Sequence, residues 1–184
     1  MDLSIIIPVF NSENILENLI EKINESLTKN NLLKNIEIIL VNDFSSDGSW
    51  NKIKKLSNKF ENIKGINLSK NFGQHNAIMA ALNECRGVNI ITMDDDLQHP
   101  PESIKDIYAE LQKNYDVCYT YYLNRKHSLW KKIVSWLNNL VSSYLLNKPL
   151  KIYMSSFRGF KRNILKEILK YKGSKVYLDG LIIK

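Results

Sequence analysis

Apolar residues along this chain follow two alternating patterns. Leu3–Val9 is a nearly continuous apolar run, as expected of a strand buried on both faces, and Pro8 with Asn11-Ser12 ends it. Ile15, Leu16, Leu19, Ile20, Ile23 and Leu27 then recur at helical spacing, and Asn11 or Ser12 is expected to cap that helix. The alternation repeats with a strand at Ile36–Val41, the turn-rich NDFSSDGS, and a helix carrying Trp50, Ile53 and Leu56. A strand near Ile63–Leu68, a helix over Ala77–Cys85 and a strand at Val88–Met93 follow. Next come a helix at Ile104–Leu111 and a strand at Tyr115–Thr120. This rhythm predicts βαβ units, hence an α/β fold whose mostly parallel central sheet carries helices on both faces.

The last third departs from it. Leu129, Trp130, Ile133, Val134, Trp136, Leu137, Leu140, Val141, Tyr144 and Leu145 form a strongly amphipathic helical pattern, with Lys131, Lys132 and Ser135 on its polar side. Such a helix can lie at a membrane interface, pack on the core, or pack against a second copy of the chain in a homo-oligomer. Beyond Pro149 a strand is expected over Tyr153–Phe160 and a helix over Ile164–Leu169. The chain stops at GLIIK inside an apolar segment, so it is expected to continue in the native protein.

Size and charge refine the picture. The 184 residues, 44% apolar, suit one domain spanning 1–184, and 24% charged with 10% aromatic residues excludes disorder. The net charge of +7 divides unevenly: residues 1–124 hold 12 Lys and Arg against 17 Asp and Glu, and residues 125–184 hold 14 against 2. The basic part is expected to face a phosphate, a membrane surface or nucleic acid, and a solvated basic face is the plainer alternative. Cys85 and Cys118 form no CxxC pair and read as buried reduced thiols, which suits a cytoplasmic location. The first residues do not resemble a signal peptide, and no window approaches 18 uninterrupted apolar residues.

Three polar clusters fall at strand ends: PVFNSE (8–13), NDFSSDGS (42–49) and DDDLQHP (94–100). Open parallel sheets bind ligands beyond the carboxyl ends of their strands. Three adjacent carboxylates raise one another's pKa unless a cation compensates. In extended backbone Asp94, Asp96 and Gln98 point to one side, and such hard oxygen ligands suit Mg²⁺ or Mn²⁺ held jointly with a diphosphate. His99 without Cys partners makes a poor zinc site, and a metal-free acidic turn is the bland reading. Asp43 is placed to accept hydrogen bonds from a base or ribose, whereas Asp47 suits an Asx-turn or helix cap. GxGxxG and GxxxxGK[ST] are both missing from the sequence, and His75, His99 and His127 lack an obvious nucleophile.

IIIPVFNSE, VNDFSSDGS, LSKNFGQHNAIMAAL and above all IITMDDDLQHPPE resemble the family-2 glycosyltransferases. More narrowly they resemble the polyprenyl-phosphate sugar transferases related to dolichol-phosphate mannose synthase, closely over about residues 3–135 and loosely beyond. The resemblance implies a GT-A (Rossmann-like) fold. It implies inverting, metal-dependent transfer from a nucleotide-sugar to an undecaprenyl-type phosphate at the inner face of the plasma membrane. UDP is the expected donor nucleotide, and GDP is the alternative. Pro8, Val9, Val41 and Asp43 would hold the nucleotide, and Asp94 and Asp95 would line the diphosphate side. Lys70, Gly73 and Gln74 would shape the donor pocket, and Asp96 and Gln98, with Asp94, would bind the metal. Arg125, Lys131 and Ser135 match positions that grip the acceptor phosphate, so Asp94, Asp96 and Arg125 are the catalytic candidates.

The chain also departs from the family. Asn11-Ser12-Glu13 stands where Asn-Glu is usual, with Glu13 as the substitute nucleotide contact. Ser156 replaces the common Asp before Phe157-Arg158, and Lys175 loosely matches a lysine that reaches the donor phosphates. Relatives usually carry C-terminal transmembrane or amphipathic segments, so a membrane anchor is expected beyond this sequence. A phosphate acceptor, ionised with a second pKa of about 6, needs no strong base. A saccharide, teichoic-acid or protein acceptor is the alternative; it usually needs a carboxylate, and residues 125–184 offer Glu167 and Asp179. A nucleic-acid-binding module leaves the acidic clusters unexplained, so no nucleic-acid partner is expected.

Overall fold

The computed structural model describes residues 1–30, 35–113, 115–120 and 155–183. Strand β1 (Leu3–Val9) is followed by α1 (Leu16–Lys29), β2 (Ile36–Asn42), α2 (Ser49–Lys59), β3 (Ile63–Asn67) and α3 (Gln74–Glu84). Strand β4 (Asn89–Thr92), a 3-10 turn (Pro101–Ser103), α4 (Ile104–Gln112) and β5 (Val117–Tyr119) come next. The described chain ends with β6 (Arg158–Lys161), α5 (Arg162–Ile168) and α6 (Leu178–Ile183). The amphipathic pattern around Trp130 and Trp136 lies outside the described residues, as do Arg125, Lys131 and Ser135.

The six strands run in the order β3-β2-β1-β4-β6-β5. Strand β1 pairs in parallel with both β2 and β4, and β3 continues the parallel set. Strand β6 runs antiparallel between β4 and β5. The sheet is therefore mostly parallel, as the alternation of strands and helices predicts.

The continuous apolar strands follow from burial on both faces. Ile5, Ile7, Ile38 and Leu40 pack with α1, α2 and α4 on one side. Ile6, Ile39, Val41 and Ile90 pack with α3, α5 and α6 on the other. Full burial of each Leu or Ile contributes about 1.5–3 kcal/mol, and on α1 the buried Leu16, Leu19, Ile20, Ile23 and Leu27 fall on the predicted helical spacing. Among the described residues no helix is long and apolar enough to cross a membrane. Both cysteines are free thiols; Cys85 is buried and Cys118 is half-buried.

The expected cap of α1 is corrected. Ile15 occupies the cap position without a side-chain hydrogen bond. Asn11 takes a left-handed φ of 54° and accepts a hydrogen bond from the Ser46 N–H, while Ser12 Oγ donates to Asp95. Both side chains are drawn into tertiary bonds at the carboxyl edge of the sheet. Helix α3 also starts earlier than the apolar spacing predicts, at Gln74, because Gly73 turns the chain into it at φ 84°.

Candidate functional site

The chain reverses its direction of travel across the sheet between β1 and β4, where an open α/β sheet leaves a crevice at the strands' carboxyl ends. A cleft of about 430 Å³ opens there. Pro8, Val9 and Phe10 from the end of β1 and Asp43 from the end of β2 form one part of its lining. Asn71, Gly73 and Gln74 at the entry to α3 and Asp94, Asp95 and Asp96 beyond β4 form the rest. Seven of the residues singled out for the donor side in the sequence thus meet in one cavity, together with Asp96.

The loops around the cleft hold one another through polar bonds. Asp43 is buried, and its two oxygens accept the Phe72 and Gly73 N–H groups, each at 2.8 Å, while it still lines the cleft. Asp47 accepts the Ser49 N–H in the expected Asx manner and also the Glu13 N–H. Glu13 in turn accepts the Gly48 N–H at 2.9 Å. A Cβ on Gly48 would fall 2.1 Å from the Glu13 carboxylate, so a larger residue there would displace the Glu13 side chain from this bond. Glu13 is therefore a bridge between loops and lies off the cleft lining.

The three adjacent aspartates have three different environments. Asp94 accepts Gln74 Nε2 on Oδ1 and Ser156 Oγ on Oδ2, each at 2.5 Å. His99 Nε2 lies 3.4 Å from Asp94 Oδ2 and 3.2 Å from Ser156 Oγ. Both neighbours accept there, so Nε2 carries the proton. Burial pushes the Asp94 pKa up, but hydrogen bonds from His99, Ser156 and Gln74 outweigh it and hold the carboxyl below its usual range. Asp95 accepts Ser12 Oγ at 2.5 Å and the Phe10 N–H at 3.2 Å. Burial raises its pKa, the neighbouring Asp96 charge adds to the rise, and the hydrogen bonds offset this only in part.

Asp96 is exposed and accepts the Gln98 N–H on Oδ1 at 3.0 Å. Leu97 sits between them at φ 59°, so residues 96–98 form a turn. This corrects the extended geometry expected for Asp94, Asp96 and Gln98: strand β4 ends at Thr92, before the acidic run begins. Among the described residues no group of three or more His, Cys, Asp or Glu side chains is arranged to hold a metal. Asp96 Oδ2 takes no hydrogen bond among them, which leaves a hard oxygen donor open at the cleft.

The remaining candidates lie elsewhere. Val41 is fully buried in β2. Lys70 is exposed, with Nζ 4.9 Å from the Phe72 ring centre. Gln98 and Lys175 are exposed and outside the lining of the cleft. Sequence reasoning overlooked Phe10, which lines the cleft and is 51% exposed. Its signal was an apolar residue standing past the point where β1 stops. It also overlooked Ser156 as a partner of His99 and Asp94. A Ser–His–Asp relay still does not form, because one nitrogen of His99 faces both other residues.

The sequence matches the family described as "Glycosyl transferase family 2" over residues 4–169. It is 36% identical over 168 residues to an undecaprenyl-phosphate 4-deoxy-4-formamido-L-arabinose transferase of Proteus mirabilis, covering 91% of this chain and 51% of that protein. The protein of the same name in Yersinia enterocolitica is 37% identical over 167 residues, covering 90% of this chain and 50% of its own. The chain thus spans about half the length of the curated relatives it matches. Among solved structures, S. aureus TarS superposes with a TM-score of 0.64 at 22% identity, over 99% of this chain and 53% of its own. Glucosyl-3-phosphoglycerate synthase from Mycobacterium tuberculosis, in complex with Mn²⁺, UDP-glucose and phosphoglyceric acid, gives 0.70 at 14% identity, over 91% and 59%. These likenesses establish a GT-A type fold.

Proposed function

From the premise that this chain belongs to glycosyl transferase family 2, we propose that it transfers a sugar from a UDP-sugar to a polyprenyl phosphate. Residues 1–124 would form the donor part of a single catalytic domain and residues 125–184 the acceptor part, at the inner membrane face. The observation that carries the acceptor class is the state of the carboxylates in the last third. Residues 125–184 contain Glu167 and Asp179 as their complete set of acids. Glu167 pairs with Lys170 on the surface of α5, and Asp179 is buried against Arg158. Neither is placed as a general base. An acceptor that arrives ionised, as a phosphate monoester does with its second pKa of about 6, needs none. The names of the curated relatives point to the same class.

The cleft supports the donor half of the reading. Pro8, Val9 and the Phe10 ring offer an apolar wall against which a base can lie. Asp43 fixes the Phe72–Gly73 backbone beside it. The donor chemistry at Asp96 fits a hard divalent ion that shares its remaining positions with diphosphate oxygens and water. Asp96, with the neighbouring Gln98, would hold such an ion, whereas Asp94 already has both oxygens hydrogen-bonded by Gln74 and Ser156. When bound, the ion supplies Lewis-acid compensation for charge growing on the departing diphosphate. Asp94 and Asp95 line the cleft beside that position, each immobilised by two hydrogen bonds. On the acceptor side, Arg125, Lys131 and Ser135 are the residues we assign to the incoming phosphate, which they would orient and screen.

The test is transfer of label from UDP-sugars to undecaprenyl phosphate in detergent or vesicles, with free saccharide and peptide acceptors in parallel. Label appearing in an organic-soluble, acid-labile product supports the proposal. Label appearing only on a saccharide or peptide would replace the acceptor and leave the donor assignment standing.

A further inference from the structure

Behind the cleft, on the α3 side of the sheet, lies a buried polar group that the donor and acceptor assignments do not use. Arg158 on β6 is 1% exposed and Asp179 on α6 is 7% exposed. The Arg158 guanidinium is ion-paired with Asp179 Oδ1, which also accepts Tyr119 Oη at 3.1 Å. Burial, with the charge of Asp179 next, pushes the Tyr119 hydroxyl far above its ordinary range, so it remains a donor. Taking two charges out of water stabilises a fold little, and often less than apolar packing of the same volume would. A pair retained at this depth calls for another role, and its neighbours suggest one.

Two short paths lead from the pair to the two oxygens of Asp94. In the segment that leads into β6, Ser156 stands two residues before Arg158, and its Oγ donates to Asp94 Oδ2. That stretch is fixed by Thr92 Oγ1 donating to the Ser156 carbonyl at 2.8 Å and by Thr120 Oγ1 donating to the Phe157 carbonyl at 2.7 Å. Just ahead of α6, Tyr177 stands two residues before Asp179, and its ring meets His75 edge-on at 5.7 Å. His75 follows Gln74, whose Nε2 donates to Asp94 Oδ1. The two paths share the ion pair at one end and the Asp94 carboxylate at the other.

We propose that Arg158 and Asp179 are positioning residues that fix β6 and α6 relative to the start of α3, so that Ser156 and Gln74 hold the Asp94 carboxylate in one orientation for the donor. This rests on the donor reading of the cleft. A purely structural pair would alter folding stability and leave donor affinity untouched. A positioning pair alters affinity at constant stability.

The experiment measures calorimetric binding of UDP with Mn²⁺, together with the melting temperature without ligand. It compares the wild-type chain, a double variant (Arg158→Met with Asp179→Asn) and Tyr177→Ala. The double variant removes both charges together, so no buried ion is left uncompensated. Tyr177 is 43% exposed, so its truncation tests the second path in a protein that folds. UDP–Mn²⁺ affinity is expected to fall by about tenfold in the double variant, and several-fold in Tyr177→Ala, with both melting close to wild type. Wild-type affinity in Tyr177→Ala and in a folded double variant would overturn the positioning role. If the double variant does not fold, wild-type affinity in Tyr177→Ala overturns it alone. Lack of binding by the wild-type chain would instead overturn the donor reading, and the positioning role with it.

Discussion

Replacing Asp43 by Asn perturbs the cleft at the point where one side chain ties the loop entering α3 to the end of β2. Both carboxylate oxygens accept backbone N–H groups, from Phe72 and Gly73, at 2.8 Å each. An Asn offers one acceptor and turns an NH₂ toward the other N–H, so one bond is lost and a donor faces a donor. A hydrogen bond to a charged group contributes about 1.5–3 kcal/mol. Phe72 is 43% exposed, and water can take part of the lost role, which puts the cost near the lower end at about 1.5–2 kcal/mol. In a chain of this size each kcal/mol lowers the melting temperature by about 2–4 °C, so a drop of roughly 3–8 °C is expected. The same substitution loosens the hold on the Phe72–Gly73 backbone beside the cleft, so UDP affinity is expected to fall as well. Differential scanning calorimetry with parallel UDP titrations measures both. A variant melting within about 1 °C of wild type, with unchanged UDP affinity, would refute the view that Asp43 organises this edge.

Other outcomes are open to equally direct checks. A methyl group at Gly159 would lie 2.4 Å from Ile107 Cγ2 and 2.9 Å from Leu111 Cδ1, so Gly159→Ala is expected to destabilise the fold through overpacking. Chemical denaturation should show a loss of about 1–3 kcal/mol with an unchanged slope. Burial, and then the Arg158 charge, hold the His75 pKa below its ordinary value, with Asp179 opposing in part. The folded state therefore binds a proton less readily than the unfolded chain. Stability due to neutral His75 is fully present above the unfolded pKa of about 6.5 and is lost as pH falls below it. Melting temperatures between pH 7 and 5 should fall more steeply for the wild-type chain than for His75→Phe.

The alternation of buried strands and helices was legible because it is written locally. Ile5, Ile6 and Ile7 are all buried since β1 is central and parallel, and periodicity alone is enough to find such a strand. The acidic run was legible for a similar reason, because three adjacent carboxylates after an apolar strand have few structural explanations. The misses depend on distant partners. Ser12 reads locally as a helix cap, but its hydroxyl bonds Asp95, 83 residues away. Ser156 meets Asp94 from 62 residues away, across the antiparallel pairing of β4 and β6, which short-range patterning does not specify. The turn at 96–98 needed a left-handed Leu97, a conformation leucine rarely adopts and no propensity suggests. The basic positions Arg125 and Lys131 lie outside the described residues, so their assignment to the acceptor rests on their resemblance to the family.

The most direct test of the central claim is thermal unfolding of the wild-type chain and of Asp96→Ala with UDP, GDP or neither, each with Mn²⁺ or EDTA. A ligand at 100 times its Kd adds about 2.7 kcal/mol of stability, which corresponds to a rise of roughly 5–11 °C here. The account predicts such a rise with UDP and Mn²⁺ on the wild-type chain, its loss in EDTA, and its loss in Asp96→Ala. A folded wild-type chain that melts at the same temperature with and without nucleotide and metal would contradict it.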